Sequence, residues 1–396
     1  MANLRIVSLA CLCVAGTLGA RVAVAQTVAP TTMPSGLPAT LVSFSGEDVL
    51  AEEAFLAIGK QAGVRFATQP NNLWDSEDLT IPMSVDLKDR PFWSAVRALC
   101  ADADVQPNQN YGGGGPNAAR RVTLTQQNMM GHNNRTAVKP WTELPTFEVD
   151  GFLVQAIAFN RQQSINYQVP EQGHNMCSVQ LTAYVDPAIR VASFNGAARV
   201  EEAIDDNGNS MVIDDKSRNV QYGSNNQRGL TYQVHVPLKY PTANPGKKIA
   251  KLRCTLILRG GDKMDTLAVD KPLEAAKVSK AFGDMTITFH ELKKMPSAEG
   301  QPAQYQLRIG ISRDDERGGA DTHNLLQSAQ LVDDKGVALS FHGGGGGGNN
   351  VYTFNYSARN NEDGQPTGEP VRWSIELPSD ARVMRIPVEF KDLPMP

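Results

Sequence analysis

From about residue 146 onward, apolar and polar residues alternate with period two. Val179, Leu181, Ala183 and Val185 stand between Gln180, Thr182 and Tyr184. Tyr232, Val234, Val236 and Leu238 repeat the pattern, as do Leu252, Cys254, Leu256 and Leu258. In the last third the series are Tyr305-Leu307-Ile309-Ile311, Tyr352-Phe354-Tyr356, Trp373-Ile375-Leu377 and Met384-Ile386-Val388-Phe390. Side chains alternate across a strand, so this pattern predicts antiparallel sheets with one face in a core and the other in solvent.

The segment before it reads differently. Thr40 to Phe44 predicts a short strand. Val49 to Gln61 predicts a helix with Leu50, Ala54, Ala57 and Ile58 along one side, with Ser45 and Asp48 marking its start and Gly63 its end. Val64-Arg65-Phe66 and Leu79 to Leu87 predict two further strands. A second helix follows: Asp89 stands at the expected N-cap and Pro91 in the first turn, with Phe92, Val96, Leu99 and Cys100 on one stripe. After Gly112–Gly115, Arg121 to Thr125 reads as a last strand.

The order strand–helix–strand–strand–helix–strand, with Leu50-Ala51-Glu52-Glu53-Ala54-Phe55-Leu56-Ala57-Ile58 running into Gly63-Val64-Arg65-Phe66, resembles the secretin and TonB short N-terminal domain. Val85-Asp86-Leu87 running into Pro91-Phe92-Trp93-Ser94-Ala95-Val96-Arg97-Ala98-Leu99 carries the second half of the resemblance. It implies a small docking fold over residues 40–125. Family members normally precede an outer-membrane barrel or a secretin ring and dock to partner proteins there.

Two landmarks repeat in the β region. Asp205-Asp206-Asn207-Gly208 returns as Asp333-Asp334-Lys335-Gly336, and Leu252-Arg253-Cys254 as Val371-Arg372-Trp373. The expectation is a mainly β, multidomain chain. A small α+β (βαββαβ) domain at 40–125 precedes two antiparallel β-sandwiches at 146–275 and 276–396, of immunoglobulin-like size, with linkers at 26–39 and 126–145. The C-terminal run Ile386 to Pro394 is similar to the tail of exported bacterial proteins that combine such modules.

Residues 1–25 change the compartment. Arg5, an apolar run from Ile6 to Gly19, and Ala23-Val24-Ala25 before Gln26 read as a cleaved signal peptide. Arg21 interrupts the run before it reaches membrane-spanning length, and no transmembrane segment is expected in the mature chain. The expected location is the periplasm or the cell exterior. Cleavage removes two arginines and no acid, so the mature chain is more acidic than the formal net charge of −4. That balance excludes a dedicated nucleic-acid binder.

Candidate chemistry is sparse. Asp314, Asp315, Glu316 and Asp321 form the best acidic loop for a Ca²⁺ ion, although Arg313 and Arg317 beside them suit a solvated loop instead. The Asp-Asp-x-Gly sites lack EF-hand spacing and read as turns. Gly343 to Gly348 precedes a strand rather than a helix N-terminus, so it reads as a hairpin loop and not a phosphate cradle. None of the six histidines has zinc-ligand spacing, and no G-x-S-x-G elbow is present. No cofactor and no catalytic residue are assigned.

Cys100 lies on an apolar helix stripe, which predicts an inert thiol. Cys177 and Cys254 both point toward the core of the first sandwich. They are either two separate thiols or an inter-sheet disulfide, which the chain-entropy account values at roughly 4 kcal/mol.

The function expected is that of an exported, non-catalytic envelope protein that binds an envelope or extracellular protein or surface. The alternative is carbohydrate or small-ligand binding on a sandwich face, with Trp74, Trp141 and Tyr184 as the aromatic candidates. A hydrolase site assembled from loops ranks third.

Overall fold

The structure, a computed structural model, describes residues 39–76, 79–108, 120–126, 139–164, 167–168, 174–213, 229–298, 301–313, 329–346, 350–358 and 367–396. The expected signal peptide and the expected first linker up to residue 38 lie outside the described residues, as do Gly112–Gly115 and Asp314–Asp321. The described chain is mainly β, with two α-helices.

The N-terminal elements are β1 (Leu41–Val49), α1 (Ala51–Ala62), β2 (Arg65–Gln69), β3 (Met83–Pro91), α2 (Phe92–Asp102), β4 (Val105–Pro107) and β5 (Arg121–Gln126). Their order follows the expected one, with β4 added. β1 pairs antiparallel with β3, while β2 runs parallel to β5, and β4 pairs with β5. Gly63 ends α1 as expected. At φ 64° it adopts the left-handed conformation, which aims the Gly63 and Val64 N–H groups back at the Lys60 and Gly59 carbonyls.

Both expected helix starts shift. β1 runs through Ser45 and Asp48 to Val49, so α1 is capped by Leu50 without a side-chain bond. Asp89 does not cap α2: it lies within β3, where its N–H donates to Ser43 Oγ (2.9 Å) and its carboxylate accepts from the same hydroxyl (3.1 Å). The β1–β3 ladder continues to Leu41 opposite Pro91, which makes Pro91 the N-cap rather than the first helical residue. Ladder hydrogen bonds outweigh the local capping preference here.

The remaining strands form two pairs of sheets. β6 (Thr146–Val149), β7 (Phe152–Ser164), β8 (His174–Tyr184) and β11 (Thr231–Lys239) give a sheet of order β11-β8-β7-β6. β9 (Arg190–Phe194), β10 (Arg199–Asp205), β12 (Lys248–Gly261) and β21 (Arg382–Pro394) form its partner, centred on β12. Val179, Leu181, Val234, Val236, Leu252, Leu256, Ile386 and Val388 from the two sheets meet in one buried cluster.

The second pair repeats the scheme. β14 (Val278–Phe282), β15 (Met285–Met295), β16 (Gln304–Arg313), β19 (Val351–Ser357) and β18 (Ser340–Gly346) form one sheet in that spatial order. β13 (Met264–Asp270), β20 (Pro370–Pro378) and β17 (Ala329–Asp333) form the other. Their core holds Tyr305 and Trp373, both buried. The glycines expected in a hairpin loop begin inside β18: Gly343 to Gly346 lie on this edge strand, and Gly344 to Gly346 are in register with β19.

The division at 275/276 does not follow the strand pairing. Lys248 pairs with Pro394 and Gly260 with Arg382; beyond a short break, Met264 pairs with Pro378 and Asp270 with Arg372. The register is the same on both sides of the break. One antiparallel ribbon thus runs through both sheet pairs, and the C-terminal strand β21 completes the first core rather than the second.

The crossing is fastened by local bonds. Asp380 accepts hydrogen bonds from the Asp262 and Lys263 N–H groups (3.1 Å each), and Ser379 N–H donates to Lys263 O (2.7 Å). Buried Arg259 pairs with Asp284 in the β14–β15 turn. Gly283 in that turn combines φ 61° with a backbone contact that leaves no room for a Cβ, which would sit 2.1 Å from Ala381 O.

Candidate interaction surface

The Asp-Asp-x-Gly repeats are structural turns. Asp205 accepts from Asn207 N–H (3.0 Å), Asn209 N–H (2.7 Å), Asn209 Nδ2 (2.8 Å) and Gly246 N–H (2.8 Å). Asp333 does the same with Lys335 (3.0 Å), Val337 (2.8 Å) and Gly368 (2.9 Å). Burial alone raises both carboxyls, but these bonds to the ionised form override it and hold both below the usual carboxylate range. Their oxygens are spent on stapling one loop to another.

Cys100, Cys177 and Cys254 are free, buried thiols. Cys177 on β8 and Cys254 on β12 contribute to the same core from its two sheets, and no S–S bond joins them. Burial pushes both up to about 12, with Arg161 working against this at Cys177. Such thiols stay protonated and unreactive. The Ca²⁺ candidates Asp314, Asp315, Glu316 and Asp321 lie outside the described residues. Among the described residues, no group of three or more His, Cys, Asp and Glu is placed to hold a metal ion, and no helix is long and apolar enough to cross a membrane.

Two of the three aromatic candidates are not surface groups. Trp141 donates its indole N–H to the Tyr184 hydroxyl at 2.7 Å, and both side chains are buried. Trp93 packs on Tyr184 with ring centroids 4.9 Å apart and donates to Val185 O at 2.8 Å. This cluster closes α2 onto the outer face of β7 and β8, where Leu153, Tyr184 and Leu230 join the N-terminal core. Thr182, expected on a solvated face, and Gln155 are fully buried beneath it.

Polar contacts extend the closure. Asp186 accepts from Thr40 N–H (2.7 Å) and Thr40 Oγ1 (2.6 Å), and Glu148 accepts from Ser94 Oγ (2.5 Å) and Arg97 Nη1 (3.3 Å). Trp74 is half-buried, with its ring 5.8 Å from that of Phe55. None of the three candidates forms an open platform for a sugar.

Other apolar side chains of the N-terminal elements remain open. Leu41, Leu50, Leu56 and Ile81 are four of the eight large apolar side chains most exposed in the described residues, with Leu56 at 54% and Ile81 at 66%. Leu50 and Ile81 flank the cross-strand pair Val49–Met83. Leu56 follows Glu52 and Glu53 at helical spacings of four and three residues, so the three share one exposed face of α1. Glu47 and Asp48 are exposed just before it. Along this face Leu56 is bordered by Glu52 and Glu53 on one side and by exposed Lys60, four residues on, on the other, so acids outnumber bases there.

The sequence reading placed Leu50 on the helix's buried side and singled out neither Leu56 nor Ile81. Leu56 falls off the stripe of Ala54 and Ile58, and that phase was the available signal. Comparison with protein families, with curated proteins and with solved structures gives no match for this chain.

Proposed function

We propose that this chain is an exported, non-catalytic envelope protein that works by binding another protein, and that the α1 face of its N-terminal elements is the docking side. In this reading residues 40–125 form a docking fold like the secretin and TonB short N-terminal domain, and the two sheet pairs are tandem immunoglobulin-like sandwiches that carry it. The observation that supports it most is the contrast between the covered and the open apolar groups of the N-terminal elements. The α2 side is consumed by Trp93, Trp141 and Tyr184, whereas Leu50, Leu56 and Ile81 stay in water, with Glu47, Asp48, Glu52 and Glu53 outnumbering Lys60 on and just before α1.

Apolar surface left in solvent beside like charges favours a partner segment with apolar and basic residues, since burying it gives roughly 25 cal/mol per Å². A sugar-binding role has less support, because Trp141 and Tyr184 are packed inside the fold and Trp74 is half-buried near Phe55. Affinity capture from solubilised envelope tests the proposal. Wild type retains a discrete partner and the double variant L56D/I81D, equally folded by circular dichroism, releases it. Equal recovery with both proteins overturns the docking side.

A further inference from the structure

Charged side chains withdrawn from water are nearly always paired, because an ion loses its hydration there and needs fixed partners to replace it. Two arginines depart from that rule at one place in this fold. Arg120, the residue before β5, lies half-buried at the C-terminal end of α1, with one guanidinium nitrogen where a Cβ on Gly63 would stand. Its Nη2 makes a long contact with Pro187 O (3.5 Å), and its Nε is buried with no acceptor among the described residues.

Three residues beyond Pro187, at the start of β9, stands Arg190. It is half-buried, and its side chain has no hydrogen bond or ion pair among the described residues. The acids nearby do not meet this need. Asp186 spends its oxygens on Thr40 and on Ala188 N–H (2.8 Å). Glu376 on β20 is exposed and attracts Arg190 only through space.

We infer that Arg120 and Arg190 together form a receptor for a small oxyanion of the phosphate or sulfate class, held where the N-terminal elements, the β8–β9 loop and β20 meet. A tetrahedral oxyanion presents several acceptors at once. It can accept N–H groups from both guanidiniums, the fork geometry for which arginine is suited. It also replaces repulsion between two like charges with two attractions. Burial and the Arg120 charge already press Arg190 below its usual value, Glu376 opposing them, as expected of a cation short of counter-charge. Binding here tightens the hold of the N-terminal elements on the sheets, since the ligands come from both.

The test uses the full mature chain and inorganic phosphate, against chloride at matched ionic strength. Thermal unfolding is expected to rise saturably with phosphate and not with chloride, and the rise is lost in R190Q and in R120Q. A second measurement needs no variant. Phenylglyoxal modification, mapped by peptide mass spectrometry, should be slowed severalfold by phosphate at Arg120 and Arg190 but not at exposed Arg253 or Arg308. Absence of a phosphate-specific rise, a rise kept in both variants, or equal modification rates at all four arginines overturns the inference. If R120Q fails to fold, R190Q and the protection pattern decide.

Discussion

Trp141 gives its indole proton to the hydroxyl of Tyr184, a residue that strand alternation places on a solvent-facing side. The two meet because α2 and the short turn at Trp141–Glu143 cover that side of β8. Removing the hydroxyl leaves the Trp141 donor buried without an acceptor, which costs about 1–3 kcal/mol. Y184F is therefore expected to lower the unfolding free energy by that amount, read as a lower urea midpoint with little change in slope. An unchanged midpoint would show that the cluster is not a closed interface.

The ribbon makes a second prediction, about a distant effect of the C-terminus. Met384, Ile386, Val388, Phe390, Leu393 and Met395 all belong to the first core. Losing one large core side chain costs about 2–5 kcal/mol, and whole domains are stable by only about 5–15 kcal/mol. A chain ending at Pro378 should therefore lose the first core, although residues 146–261 are intact in sequence. The readout is thiol labelling without denaturant. Cys254 is protected in the full chain and labelled at once in the truncated one, with Cys177 following it. A protected Cys254 after truncation would mean that the first core stands without β21.

Asp333 supplies a prediction in pH. Its folded value is held below the ordinary carboxylate value of about 3.9, so the stability it contributes is fully present above that value. It is lost as pH falls through the lower folded value. D333N should be destabilised at pH 7 by about 1–3 kcal/mol, because the amide cannot accept all three N–H bonds. The gap to wild type should narrow below about pH 4. Unfolding midpoints across pH 2.5–7 check this, and a gap constant with pH would remove Asp333 from the acid limb.

Strand identity was largely legible because alternation follows directly from the pleat, and the N-terminal order was legible because Gly63 and the Phe92–Cys100 stripe are local signals. Three features were not. The register of β12 with β21 is a contact between ends of the chain, and nothing in either strand's alternation says which neighbour it chooses. Trp141 and Tyr184 read as surface groups because periodicity reports which residues share a face and not what covers it. Asp89 had the right chemistry for a helix cap, but its pairing with Ser43 forms only when β1 and β3 meet. The exposed face at Leu56 was visible in part as an apolar residue off the helix stripe. Its isolation becomes meaningful only once α2 is seen to be occupied.

Site-specific photo-crosslinking tests the central claim most directly. A photoreactive residue replaces Leu56 or Ile81 in the full chain, and Tyr167, 90% exposed on the β7–β8 loop, serves as the control position. Irradiation in the intact envelope should give one discrete protein adduct from positions 56 and 81 and none from 167. The adduct should disappear when Glu52 and Glu53 are changed to Lys in the same chain. No adduct from either position, or the same adduct from 167, would contradict docking through the α1 face.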